Sequence, residues 1–173
     1  MKRLSLSLLL FGAASAYADA SPLERALGGI EWAGGESSLR LLGSQPDIQL
    51  LEILAAPTTT PLRRRRAITL LVYTNTPPVQ TFLQGRFLQL RDAIDGSEAL
   101  ELAVLLPVLG SLHLVAFDAI TPLLVHPVAN LRESVAVALF SLDAKRARPL
   151  IRTRLMTETD SGVRIRINRL LAR

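Results

Sequence analysis

Arginine has the most chemistry to offer in this chain. Arg63, Arg64, Arg65 and Arg66 form one unbroken run. A guanidinium presents a rigid fork of donors that matches carboxylate and phosphate groups. The run is therefore a candidate grip on an acidic protein, an anionic envelope polymer or lipid head groups. The competing reading is a solvated first helical turn in which Arg64 makes structural hydrogen bonds. Four bases there oppose the helix dipole, at a cost of a few tenths of a kcal/mol each. The solvated turn is the expectation. A second basic set closes the chain, from Lys145 and Arg146 through Arg148, Arg152 and Arg154 to Arg173. Arg148 and Arg152 are four apart and share a face if this stretch is helical. Arg63, Arg64, Arg65, Arg66, Arg148 and Arg152 are the candidate anion-binding or partner-binding residues.

Other reactive types are sparse. His113 and His126 are the only histidines, and there is no cysteine. Neither His has a carboxylate at a metal-ligand spacing, so HExxH and EF-hand patterns are missing. His113 lies in Leu112-His113-Leu114-Val115, where a packed side chain is expected, and His126 precedes Pro127 in a loop. A triad of a Ser with His113 and Asp118 lacks the GxSxG turn that would support it. Gly28-Gly29 and Gly34-Gly35 flank Trp32 without forming a phosphate loop. Trp32 is expected in the core or as a cap. The chain offers no catalytic, metal or cofactor site, and an enzyme is not expected.

The elements that must position these groups follow from composition. About half of the 173 residues are apolar and only 5% are aromatic. The core must be Leu, Ile, Val and Ala. No long stretch alternates with period two, which points to an all-α domain. Residues 1–20 read as a secretory signal peptide, with Lys2 and Arg3, an apolar run from Leu4 to Phe11, and small residues at Ala16, Ala18 and Ala20. Cleavage is expected after Ala18 or Ala20, giving a periplasmic or extracellular product without disulfides. Leu102 to Phe117 is almost wholly apolar but too short to span a bilayer. A central repeat buried on several sides is expected there.

Charge divides along the chain. Residues 19–62 hold six acids and two bases, and residues 145–173 hold nine bases and two acids. Nucleic acid is disfavoured by the export segment and by the lack of aromatics interleaved with the bases.

Helix starts are legible at Ser21-Pro22-Leu23-Glu24, Thr60-Pro61 and Asp95-Gly96-Ser97-Glu98, and stops at Gly28-Gly29, Gly43, Thr76-Pro77-Pro78, Gly110 and His126-Pro127. Four stretches then align: 63–71 RRRRAITLL, 98–106 EALELAVLL, 131–139 LRESVAVAL and 163–171 VRIRINRLL. Positions five, eight and nine are apolar in each and lie on one helical face. Such a stripe is buried only by stacking on neighbours.

Leu131-Arg132 through Leu139, Arg148-Pro149-Leu150-Ile151 and Asp160-Ser161-Gly162-Val163-Arg164 resemble HEAT repeats, of the short bacterial kind related to phycobilin lyases. Ile120-Thr121-Pro122-Leu123-Leu124 is similar to a partner-helix start. The resemblance implies an armadillo-like helical fold, a short right-handed α-solenoid of antiparallel helix pairs (a HEAT-like superhelix). It also implies binding of a protein or peptide, and it does not imply lyase activity. The expected division is a signal peptide at 1–20, a helical cap or degenerate repeat at 21–60, and HEAT-like repeats at 61–173. Ala99 stands where the repeat Arg is expected, and partner helices opening at Pro122 and Pro149 would differ in length.

Overall fold

The computed structural model describes residues 22–28, Trp32 and residues 34–173. The expected signal peptide, Ser21 and Gly29 lie outside these residues. All regular structure among the described residues is helical. The chain runs through α1 (Pro22–Leu27), α2 (Glu36–Arg40), α3 (Pro46–Ala55) and α4 (Pro61–Leu70), which tightens into a 3-10 turn at Leu71–Tyr73. It continues through α5 (Pro77–Leu90), α6 (Gly96–Ser111) and the short α7 (Phe117–Ile120), which passes into a 3-10 turn at Thr121–Val125. It ends with α8 (Ala129–Leu142), α9 (Ala144–Met156) and α10 (Ser161–Leu171).

Local chemistry explains the helix starts. Pro46, Pro61 and Pro77 each occupy a first-turn position, where a missing N–H costs nothing. Thr60 accepts from the Arg63 N–H at 3.3 Å, and Asp143 and Asp160 accept from the N–H groups of Arg146 and Val163 at 2.9 Å. Each bond satisfies a donor that the helix itself leaves unpaired.

Five expectations need correction. Gly110 does not stop α6 but lies inside it, and Thr76-Pro77-Pro78 opens α5. Pro149 does not open a partner helix; α9 has already begun at Ala144 on the Asp143 cap. Ile120–Leu124 straddles the end of a one-turn helix and a 3-10 turn instead of opening a full helix. His113 is exposed, not packed. It ends α6 in the left-handed region (φ 54°), where the Leu114 N–H reaches the Leu109 carbonyl at 2.9 Å and the His113 N–H reaches Gly110 at 3.2 Å. This is a Schellman closure with His in the place that usually carries Gly.

The core is one cluster of aliphatic side chains. α6 sits at its centre and packs against α4, α5 and most extensively α8; α8 in turn packs against α9 and α10. Ala67, Leu70, Leu71, Leu102, Leu105, Leu106, Val135, Ala138 and Leu139 have no exposed surface, and Ile167 and Leu170 are nearly as enclosed. The positions expected to form a stripe are therefore removed from water, except Leu171 at the last one, which is only partly buried. Each buried Leu contributes roughly 1.5–3 kcal/mol. The approach of α6 to α8 is close because both are small there. A Cβ added at Gly110 would lie 2.7 Å from the Ala138 Cα and 2.8 Å from its carbonyl oxygen.

Two carboxylates tie the layers together. Glu158 is wholly enclosed and accepts from Arg132 Nε at 2.8 Å and Nη2 at 2.5 Å, from the Asp160 N–H at 3.0 Å, and faces Arg154 Nη2 at 3.2 Å. Arg132 spends its remaining nitrogen on the carbonyls of His126 and Pro127, both at 2.9 Å. Glu101 accepts from Arg86 Nε at 2.6 Å, with Arg64 Nε 3.9 Å away. The arginine pairs 64/86 and 132/154 share one sequence spacing. Ala99, at the place of the missing repeat arginine, is fully buried instead.

The hydrogen bonds from Arg132 hold the Glu158 carboxyl at about 2, down from an ordinary 4.5, against the opposing effect of burial. A depressed carboxylate stabilises fully above its unfolded value and loses that contribution as pH falls through the folded one. Glu158→Gln should cost about 3–5 kcal/mol at pH 7, because Arg132 is left buried beside a neutral group. It should also flatten the fall in stability between pH 4.5 and 2. Urea melts across that range check both. Gly110→Ala should destabilise by about 1–3 kcal/mol through forced separation of α6 and α8, read from the same melts.

Candidate functional site

The arginine run does not act as one patch. Consecutive residues on a helix point about 100° apart, so four in a row cannot share a face. Arg63 is exposed and lines a depression of about 380 Å³ with Leu27, Glu52 and Thr59. Arg64 turns inward, donating from Nη1 to the Leu54 carbonyl at 2.7 Å. Arg66 crosses to the first helix, donating to the Leu27 carbonyl at 2.8 Å while its guanidinium lies 5.1 Å from the centre of the Trp32 ring. Arg65 points to a different side, among residues of α6 and α8. Trp32 is partly buried and donates from its ring nitrogen to the Ala26 carbonyl at 2.7 Å.

Arg148 and Arg152 both lie in α9. Arg148 donates to the Leu171 carbonyl at 2.7 Å and sits 4.9 Å from the Phe140 ring centre, fastening the end of α10. Arg152 is exposed. The six candidate arginines are thus dispersed, and Arg64, Arg66 and Arg148 each spend a nitrogen on the backbone of a neighbouring element.

The histidines do not meet. His126 Nε2 lies 2.8 Å from the Ala93 carbonyl, and Nδ1 accepts from the Val128 N–H at 3.1 Å. Those two bonds define the tautomer with the proton on Nε2. Asp118 is ion-paired with Arg146, which lies over the Phe117 ring, so Asp118 does not orient His113. No group of three metal-ligating side chains occurs among the described residues, and no helix there is long and apolar enough to cross a membrane.

One surface was not anticipated from sequence. It lies over α4, α6, α8 and α10. A depression of about 360 Å³ is lined by Arg65 of α4, by Leu100, Ala103 and Val104 of α6, and by Asn130, Glu133 and Ser134 of α8. A second, of about 260 Å³, is lined by Glu133 and Val137 of α8 and by Arg166, Arg169, Leu170 and Arg173 at α10 and its end. Glu133 is the common wall. It accepts from Arg166 Nε at 2.5 Å, so an ion pair forms the ridge between the two. Val104 and Val137 rest on the core yet keep exposed surface. Of the lining residues, Arg65, Leu100 and Glu133 are position three of the aligned stretches, and Val104, Val137 and Arg169 are position seven. These positions are four apart and share a face, distinct from the buried one. Their mixed types hide them from a search for apolar stripes.

The chain matches no family model, no curated protein and no solved structure at a significant level.

The division of labour within the arginine run is measurable. Arg64→Gln and Arg66→Gln should each lower stability by about 1–2 kcal/mol, through lost charged hydrogen bonds to buried carbonyls. Arg65→Gln should stay within about 0.5 kcal/mol, as a surface change. Chemical denaturation of the three variants checks the contrast.

Proposed function

We propose that this chain is an exported interaction module: a short HEAT-like solenoid that holds a protein or peptide partner without catalysis. The observation that carries the reading is the contact order. α4, α6, α8 and α10 pack each on the next, and all four contribute to one grooved surface. In a solenoid, neighbours bury one face of each helix and leave another open over several units. α9 follows α8 and packs on it as a partner helix, α5 follows α4 and packs on α6, and the segment from α7 through its 3-10 turn is a shortened counterpart. The basic N-terminal start, the apolar run and the small residues before Ser21 support export.

The other reading, an electrostatic binder of an anionic polymer or lipid head groups through the arginine run, is less favoured. Its residues point in different directions, and Arg64 and Arg66 are engaged with carbonyls of this same chain.

Expression of the full chain with a C-terminal tag in a bacterium tests both halves of the proposal. Export predicts an envelope or medium fraction whose intact mass begins after Ala18 or Ala20. The interaction reading predicts a reproducible protein partner, crosslinked in that compartment at low salt to side chains of α4, α6, α8 or α10. An unprocessed cytoplasmic chain would end the export half. Repeated failure to crosslink any partner would end the other.

A further inference from the structure

The grooved surface carries charge as well as shape. Four guanidiniums line its two depressions: Arg65 on one side, and Arg166, Arg169 and Arg173 on the other. The single acidic side chain lining either depression is Glu133, and Arg166 already pairs with it. The guanidiniums of Arg65, Arg169 and Arg173 have no hydrogen-bond or ion-pair partner among the described residues. Between these cations lie apolar side chains, with Leu100 38% exposed and Val104 and Val137 partly so, beside the polar Asn130 and Ser134. Apolar surface flanked by unpaired cations is complementary to a chain that carries carboxylates around apolar anchors.

Resting on the interaction reading above, we infer that this groove receives an acidic amphipathic segment of another protein. One apolar side chain enters the depression over α6, and a second enters the depression between α8 and α10. The partner's carboxylates meet Arg65 at one end and Arg169 and Arg173 at the other. Packed helices lie 8–10 Å apart, so the two anchors are separated by about 10 Å. That distance corresponds to roughly seven residues of helix or three of extended chain. The Glu133–Arg166 ridge lies between the anchors and disfavours a carboxylate at that midpoint.

A free anionic polymer would use the same arginines but not the apolar floor. Leu100→Arg therefore separates the two. It blocks the anchor depression while adding positive charge, at a side chain exposed enough to change without opening the core. Arg169→Glu combined with Arg173→Glu weakens either ligand.

The test is selection of a displayed random 16-residue peptide library on the full chain at near-physiological salt. Recovered peptides are then titrated by fluorescence anisotropy against the wild type and both variants, each checked for folding by circular dichroism. Peptides rich in Asp and Glu should be enriched, with apolar residues seven apart, or three apart without helical content. Leu100→Arg and the double charge reversal should each weaken them at least about ten-fold, and higher salt should weaken them further. Enriched peptides without acidic bias, or binding that neither variant changes, would overturn this assignment while leaving an interaction module intact. Enrichment of no peptide would remove both. Dextran sulfate or anionic vesicles binding more tightly to Leu100→Arg, with no peptide recovered, would hand the groove to a polymer or a membrane instead.

Discussion

The rest of the structure depends on one constraint: each of the helices α4, α6, α8 and α10 must cover the apolar face of the next. None of them can bury that face alone, because a single helix in water has nothing to turn it toward. α6 is the most enclosed, covered by α4, α5 and α8. Its Leu102, Leu105, Leu106 and Leu109 lie wholly out of water. Gly110 lets the backbone of α8 come close enough to leave no gap at Ala138. The seam supplies most of the favourable energy, since burial scales with apolar area.

The ionic clusters do a different job. A buried ion pair gains little net stability over a well-packed apolar pair, because both charges surrender their hydration. Breaking one is nevertheless costly. Glu158 and Glu101 therefore define register more than they add strength. Each gathers an arginine from the start of one helix and a second from the helix that follows, Arg132 with Arg154 and Arg64 with Arg86. Wrong packing would leave these groups unpaired. All buried side-chain polar atoms among the described residues have partners, so that penalty is absent from this arrangement. The arginines that the clusters do not use are left for the surface. This is how a chain rich in arginine comes to have an open groove lined with cations.

Much of the helical layout was legible in the sequence. The apolar stripe is a periodic signal, and periodicity survives the loss of all tertiary information. Thr60-Pro61 read correctly as a start because its cap is made with its own first turn. Failures came where the deciding contact was distant. Gly110 resembles a stop until Ala138 lies against it. Pro149 resembles a first residue until the Asp143 cap upstream is seen. His113 lies between leucines and reads as packed, yet the chain turns left-handed there and carries it outward. The arginine run drew attention by composition. Its four side chains diverge because a helix turns 100° per residue, and only Arg65 reaches the groove. The groove residues share a face but not a type, so nothing local marked them.

The central claim is that the four helices lie side by side in the order of the chain. Spin labels at Arg65, Leu100, Glu133 and Ile165 test it directly, since the chain has no native cysteine to interfere. Successive pairs should lie about 10 Å apart, and the 65–165 pair roughly 30 Å apart, as expected for three helix-to-helix steps. A 65–165 distance no longer than the 65–100 distance would mean that the helices close on one another, and the stacked account would be wrong.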